Sequence, residues 1–387
     1  MQASPFAELR QLLSKGESPH TWDCILRLFA RWPECSERDL ALDYANTHLE
    51  SWSSKLRTAH CSAPYAILCW PLIRHLDFVG GRLTIRWYER FSEENQLAAI
   101  SLEAKQFEKY ASLLSKLRSL RELQLYKDIN WIKGIKGLRK LPELTSITLE
   151  TTGSLESLTG LEAVQGLTFL KANLPRVTDF SAFRTLHKLE ELHLVSPYLD
   201  ADCFGDTSSL RSLKLFRLES CEHLRFLREA RQLQHAKIVF ADGKGCLVDM
   251  EDFKHLQELR ELRLLGCGAL ADLFWLGELK QLEKLQLQGS GESGAETLQR
   301  LDKLEELHLR LSKVRSLDLS DLKALEVLEL RDCTALEWLY GWEDLPRLEK
   351  LTIRNCPRLK GMDAYRNQAG YISLSGQVLR KFVKELI

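Results

Sequence analysis

The sequence predicts an α/β solenoid in which about twelve short strands stack into a parallel sheet behind a small helical N-terminal segment. Three observations predict it. A frame of the form LxxLxL starts near residues 97, 120, 144, 167, 189, 210, 233, 259, 282, 304, 325 and 348, at gaps of 21 to 26 residues. Within each frame aliphatic and polar residues alternate, which is the period of a half-buried strand. The residues before 97 lack the frame and hold five of the nine tryptophans (Trp22, Trp32, Trp52, Trp70 and Trp87).

In chain order, a first segment, 1–95, reads as a helical cap or adaptor. Residues 4–14, 19–32 and 37–58 show helical periodicity, with Leu9, Leu12 and Leu13 on one face, then Trp22, Ile25, Leu26 and Phe29, then Leu42, Leu49 and Trp52. Ser36 suits an N-cap, and Gly16 and Pro33 mark breaks. The runs YAILCWPLIRHLDF and RLTIRWYERF suggest strand-like entry into the stack. Residues 96–375 carry the frames, and 376–387, which include QVLRKFVKELI, read as an amphipathic closing helix. One coil cannot bury its apolar row alone, so neighbours must stack into a shared core, and the exposed ends need caps.

The frames resemble those of leucine-rich-repeat proteins over roughly residues 97 to 375. Three units close as LxxLxLxxCxxL, through Cys267, Cys333 and Cys356 with Leu270, Leu336 and Leu359, and are similar to the repeats of plant disease-resistance receptors. Others, such as LTFLKANLPRVTDFSAF and LEELHLRLSKVRSLDLSDL, look more like internalin repeats. The resemblance implies a horseshoe with a concave parallel sheet and a protein-binding role. The nucleotide-binding part of a resistance receptor is missing, since no GxxxxGK[ST] occurs.

Cys333 and Cys356 recur 23 positions apart, in step with Leu328 and Leu351 and with Leu330 and Ile353. At that ninth position the chain leaves the strand, and a thiol serves as a small buried hydrophobe beside turning backbone. Adjacent coils about 4.8 Å apart would permit a disulfide, which needs Cα atoms within about 7 Å. Ten cysteines scattered over 387 residues, with no CxxC and no apolar leader near the start, instead read as free thiols in a cytoplasmic, soluble protein. No metal site is expected, because no histidine falls in the row and zinc wants more converging ligands.

The charge balance, 54 basic against 54 acidic residues, leaves no global positive field and argues against nucleic acid, and no apolar run is long enough to span a membrane. A search for catalytic chemistry finds none. GSGESGAE at 289–296 lacks the Lys-Ser/Thr of a phosphate loop, and His193 and His308 stand five repeats apart. Cys203 lies between Asp202 and Asp206, which should raise a thiol pKa, the opposite of what a nucleophile needs. We therefore expect no enzyme and no cofactor.

The expected working surface is the outward side of the sheet, where residues between the leucines align in columns. One column runs Lys171, His193, Lys214, Lys237, Arg263, and the next reads Val195, Phe216, Val239, Leu265. A contiguous apolar row beside cations has the composition of an interface anchor. Two counter-readings stand beside it: Glu191 and Glu261 could pair with His193 and Arg263, and Val239 or Leu265 could turn inward where the longest repeat distorts the sheet. The function expected is a non-enzymatic scaffold that recognises an acidic and partly apolar protein surface, as an intracellular recognition or neutralising, immunity-type protein. The alternative is an adaptor: ILRLFARWPECSERDLALDYANTHLESW loosely resembles the F-box of ubiquitin-ligase receptors, without its Leu-Pro opening, so the helices would recruit an enzyme while the repeats select a client.

Overall fold

A computed structural model describes residues 4–53, 55–63, 66–79, 81, 87, 96–126, 134–150, 155–219, 221, 223–241, 250–268, 270, 272–362 and 372–375. The chain divides into two compact units, Met1–Asn173 and Leu174–Ile387.

The first unit opens with helices α1 (Pro5–Ser14), α2 (Pro19–Arg31) and α3 (Ser36–His48). Ser4 and Ser18 cap the first two, accepting from the Ala7 and Thr21 amides at 3.3 and 3.0 Å, each followed by a proline whose missing N–H costs nothing there. In α3 the cap is Cys35, with no side-chain hydrogen bond, and Ser36 is the first helical residue, so the helix starts one place earlier than the sequence suggested. That helix also stops at His48 rather than near residue 58. The Ser53 amide donates to the Glu17 carboxylate at 2.8 Å, holding a turn, and the chain then enters a strand.

The sheet of this unit runs in the order β1 (Thr58–His60), β2 (His75–Asp77), β3 (Ala99–Glu103), β4 (Glu122–Tyr126), β5 (Ser146–Glu150) and β6 (Phe169–Asn173), all parallel where their pairing is described. Strands thus begin at Thr58, inside the segment expected to be a helical cap. Trp22 Nε1 donates to the Thr58 carbonyl at 2.8 Å and ties α2 to the sheet. After β3 the return of the coil is a true helix, α4 (Ala104–Leu114), which buries Phe107, Ala111 and Leu114 at i, i+4, i+7 spacing. Later returns, as far as Ala295–Arg300, carry short 3₁₀ turns.

In the second unit β7 (Glu191–Val195), β8 (Ser212–Leu218), β9 (His235–Phe240), β10 (Glu261–Leu265), β11 (Lys284–Gly289) and β12 (Glu306–Leu311) are parallel neighbours. Strands β13 (Ser316–Asp318) and β15 (Trp338–Tyr340) form a separate two-stranded parallel sheet. The main ladder continues through β14 (Val327–Arg331) and β16 (Lys350–Arg354) and ends on β17 (Ile372–Ser375), which is antiparallel. The closing helix expected at 376–387 lies outside the described residues. Each frame delivers its strand two residues after its first leucine, from β3 through β16.

The strands are held by their inward leucines. Leu192, Leu194, Leu213, Leu215, Ile238, Leu262 and Leu264 are at most 1% exposed, each contributing about 2 kcal/mol of burial. The cysteine row closes the coils as expected of small buried residues. Cys333 Sγ lies within hydrogen-bonding reach of the Leu309 and Arg331 carbonyls, at 3.7 and 3.5 Å, and Cys356 Sγ donates to the Arg354 carbonyl at 3.4 Å. All nine described cysteines are free. The residue before each of Cys267, Cys333 and Cys356 has positive φ, supplied by Gly266 (75°), Asp332 (51°) and Asn355 (51°). These residue types tolerate the left-handed region best.

Candidate protein-binding face

Alternation in β7 to β10 sends one set of side chains inward and the other outward, and the parallel register lines the outward set into rows. His193 faces Lys214, Lys214 faces Lys237, and Lys237 faces Arg263; one step along, Val195 faces Phe216, Phe216 faces Val239, and Val239 faces Leu265. All eight are half-buried. Neither Val239 nor Leu265 turns into the core, so the sheet keeps its register through the long repeat, whose residues 242–249 lie outside the described set. Lys171 stands in the first unit, on β6, where its Nζ lies 2.5 Å from the Glu150 carboxylate.

The cations of this face differ in what holds them. Arg263 Nε lies 2.6 Å from Glu261, on its own strand, an exposed pair worth under about 1 kcal/mol. His193 Nε2 lies 4.0 Å from Glu191. Lys237 places Nζ 5.2 Å from the centre of the Phe216 ring, a cation–π contact of about 0.5–1 kcal/mol at an exposed site. Lys214 has no carboxylate within ion-pair distance among the described residues. Two like charges therefore oppose each other across β8 and β9, an arrangement that destabilises a sheet.

Beyond β10 the rows are neutralised. Lys284 pairs with Glu306, Arg310 Nε with Asp332 at 2.8 Å, and His308 Nδ1 with Glu329 at 2.7 Å, while Arg331 pairs with the other oxygen of Glu329. Burial works to raise the Glu329 carboxyl, but the His308 and Arg331 hydrogen bonds outweigh it and hold the group below its ordinary value. Among the described residues of the row that holds His193, Lys214, Lys237, Arg263 and His308, the cations without a carboxylate in ion-pair distance lie on β8 and β9.

Two residues near the face were not found from sequence. Arg217, exposed at φ 62°, sits at a bulge between Phe216 and Leu218, where the β8–β9 register shifts. Tyr198, 52% exposed, lies in the turn leaving β7. Nothing in the sequence marks a bulge at Arg217; Tyr198 follows Ser-Pro after a strand and was legible as an exposed turn aromatic. At Cys203, burial first, then Asp200, pushes the thiol pKa up, as the acidic neighbourhood suggested, although Asp200 outweighs Asp202.

No protein-family model matches the sequence, and no curated protein matches it. Among solved structures, an internalin (inlF) from Listeria monocytogenes superposes with a TM-score of 0.51 at 17% identity, covering 77% of this chain and 93% of that one. A Leptospira interrogans LRR protein gives 0.42 at 14% identity over 72% and 85% of the two chains. The Arabidopsis receptor kinase HAESA, solved with the peptide hormone IDA and the co-receptor SERK1, gives 0.44 at 20% identity over 59% and 43%. Twelve frames, each realised as a strand of a parallel ladder, together with the internalin superposition, give this chain the leucine-rich-repeat fold.

Proposed function

We propose that the outward face of β7 to β10 docks a protein partner whose surface is acidic and partly apolar, with Lys214, Phe216 and Lys237 at its centre and His193, Val195, Val239, Arg263 and Leu265 around them. The observation that carries this reading is the Lys214–Lys237 opposition. Two cations face each other beside an apolar row, and one of them has no acid in reach among the described residues. A carboxylate from a partner would relieve that repulsion, and the apolar row would supply contact area. In this reading the chain recognises or neutralises a protein without acting on it chemically. The free thiols, Cys333 and Cys356 among them, support a reducing, cytoplasmic location.

The test combines affinity capture with a stability measurement. Partners captured by the intact chain should be lost with Lys214→Glu/Lys237→Glu and kept with Lys323→Glu, an exposed control elsewhere in the unit. In addition, Lys214→Gln should raise stability by about 0.3 kcal/mol as it removes the like-charge contact, while weakening capture. A partner retained by the double variant sinks the proposal.

A further inference from the structure

The two-stranded sheet β13–β15 carries a second surface, built on exposed aromatic side chains. Trp338 and Tyr340 project from β15, 43% and 50% exposed, with Leu339 buried between them. Their rings are parallel to within 12°, with centroids 6.3 Å apart. Beside them in register on β13 stand Ser316 and Asp318. From the next coil Lys360 places Nζ 5.0 Å from the centre of the Trp338 ring and pairs with Glu337 at 2.9 Å. An indole face of this surface therefore already holds a cation from the chain itself.

Asp318 is exposed and fixed in place. It accepts from the Ser320 amide at 3.0 Å and from the Ser320 hydroxyl at 2.5 Å, and those bonds hold its carboxyl below the ordinary range. The Ser320 turn lies against Gly341, directly after Tyr340. A Cβ on Gly341 would come within 2.6 Å of Ser320 Cα, and its φ is 71°, so only glycine lets the turn sit this close. Gln299, a further hydrogen-bond partner of Asp318, also lines an open cleft of about 390 Å³ with Phe274, Glu296, Arg300 and Asp321. Glu337 is engaged by Lys360, with Arg315 and Arg358 also near it, so the carboxylate that faces Tyr340 in register is that of Asp318.

We propose that the Trp338–Tyr340 face takes an arginine side chain presented by another protein, its guanidinium laid on the aromatic rings and its N–H fork turned to Asp318. A guanidinium is planar, stacks on aromatic faces and is more weakly hydrated than an ammonium, so it loses less on leaving water. The ring quadrupoles attract it, and a carboxylate held in place by its own turn through Oδ1 can accept from the fork's N–H groups. A purely apolar occupant would bring no donor to Asp318 beyond those of Ser320 and Gln299, and an acidic one would set a second carboxylate against it.

The experiment titrates the full chain with acetyl-Gly-Arg-Gly-amide and follows the Trp338 indole N–H resonance, identified as the one of nine tryptophan signals missing in Trp338→Phe. Survival of the other indole signals shows that this variant folds. The arginine peptide should shift the Trp338 signal saturably, with a dissociation constant on the order of millimolar, and bind about fivefold tighter than the neutral, isosteric citrulline peptide. Asp318→Asn and Tyr340→Ala should each weaken it about threefold. Equal binding of citrulline, affinity untouched by both variants, or a response to cellohexaose without one to arginine would overturn the proposal. The Lys214→Glu/Lys237→Glu variant should bind the arginine peptide normally, so this site and the β7–β10 face stand or fall separately.

Discussion

Replacing Arg57 should detach the helical N-terminus from the sheet. Arg57 is 2% exposed and donates three hydrogen bonds, from Nε to the Leu72 carbonyl at 2.8 Å, from Nη1 to Leu49 at 3.0 Å and from Nη2 to Asn46 Oδ1 at 2.8 Å. One guanidinium thus joins the end of α3, through Leu49 and Asn46, to the segment before β2. Each charged-donor bond is worth about 1.5–3 kcal/mol, and losing the donor strands buried acceptors. Against this stand two costs that vanish with the charge. Burial, then repulsion from Arg74, which shares Asn46 Oδ1 at 2.8 Å, lowers the Arg57 pKa to about 10. Setting three bonds near the low end of their range against roughly 1–2 kcal/mol of relieved desolvation and repulsion leaves a net loss of about 3 kcal/mol for Arg57→Met, which keeps most of the stem's packing. Native-state hydrogen exchange is the assay, because a stacked-coil protein need not unfold in one step. Amides of α3 and β1 should exchange about a hundredfold faster, while those of β9 to β12 stay unchanged. Protection in α3 within about threefold of the parent would refute the reasoning, since the bonds would then be worth no more than the repulsion they offset.

Two further outcomes follow from the titrating groups. Burial pushes the Cys69 and Cys267 thiols to about 12 and Cys221 to about 11, and Cys333 is raised through its neighbour Cys356, so iodoacetamide on the native chain at neutral pH should alkylate exposed Cys35 and spare these four, as peptide mass mapping would show. Glu329 has a lowered folded pKa, so its contribution is complete above the ordinary value of 4.5 and is lost as pH falls through the folded value. Glu329→Gln should therefore be less stable than the parent near neutrality, and its melting temperature should fall less steeply with acid below about pH 5.

The coils were legible because burial imposes their period. Leucines such as Leu213 and Leu215 must alternate with outward residues, and each coil must repeat the pattern to share a core. Strand β1 escaped because it is three residues long with one buried side chain, Ala59, too little for any period to register, whereas β2 falls within YAILCWPLIRHLDF, a run that reads as strand-like. The same brevity hid β13 and β15, although the Ser-Leu-Asp of β13 lies within a unit that looked internalin-like. Helix α3 was drawn too long because Leu49 and Trp52 are buried as a helical face would bury them, yet a turn held by Glu17 brings them there. The rows of the candidate face followed from register alone. Which of its cations carry a partner did not, because pairing depends on side-chain reach: Arg263 turns back to Glu261 two residues earlier on its own strand, while Lys171 crosses a coil to Glu150.

The repeat also explains why this chain can hold two chemically different surfaces while its charges sum to zero. In a stacked coil the inward residues answer to packing, and each outward residue is one entry in a column that the core does not constrain. Lys214 lies between Leu213 and Leu215, both fully buried, so changing it alters one element of a row and leaves the leucines on either side in place. The same independence separates the β7–β10 face, whose central lysines oppose each other without a described acid, from the β13–β15 face, where Asp318 stands beside Trp338 and Tyr340. Total charge cannot reveal either, because it adds the columns together. What marks a candidate site in such a fold is a column whose local chemistry opposes stability, and here that column passes through Lys214 and Lys237.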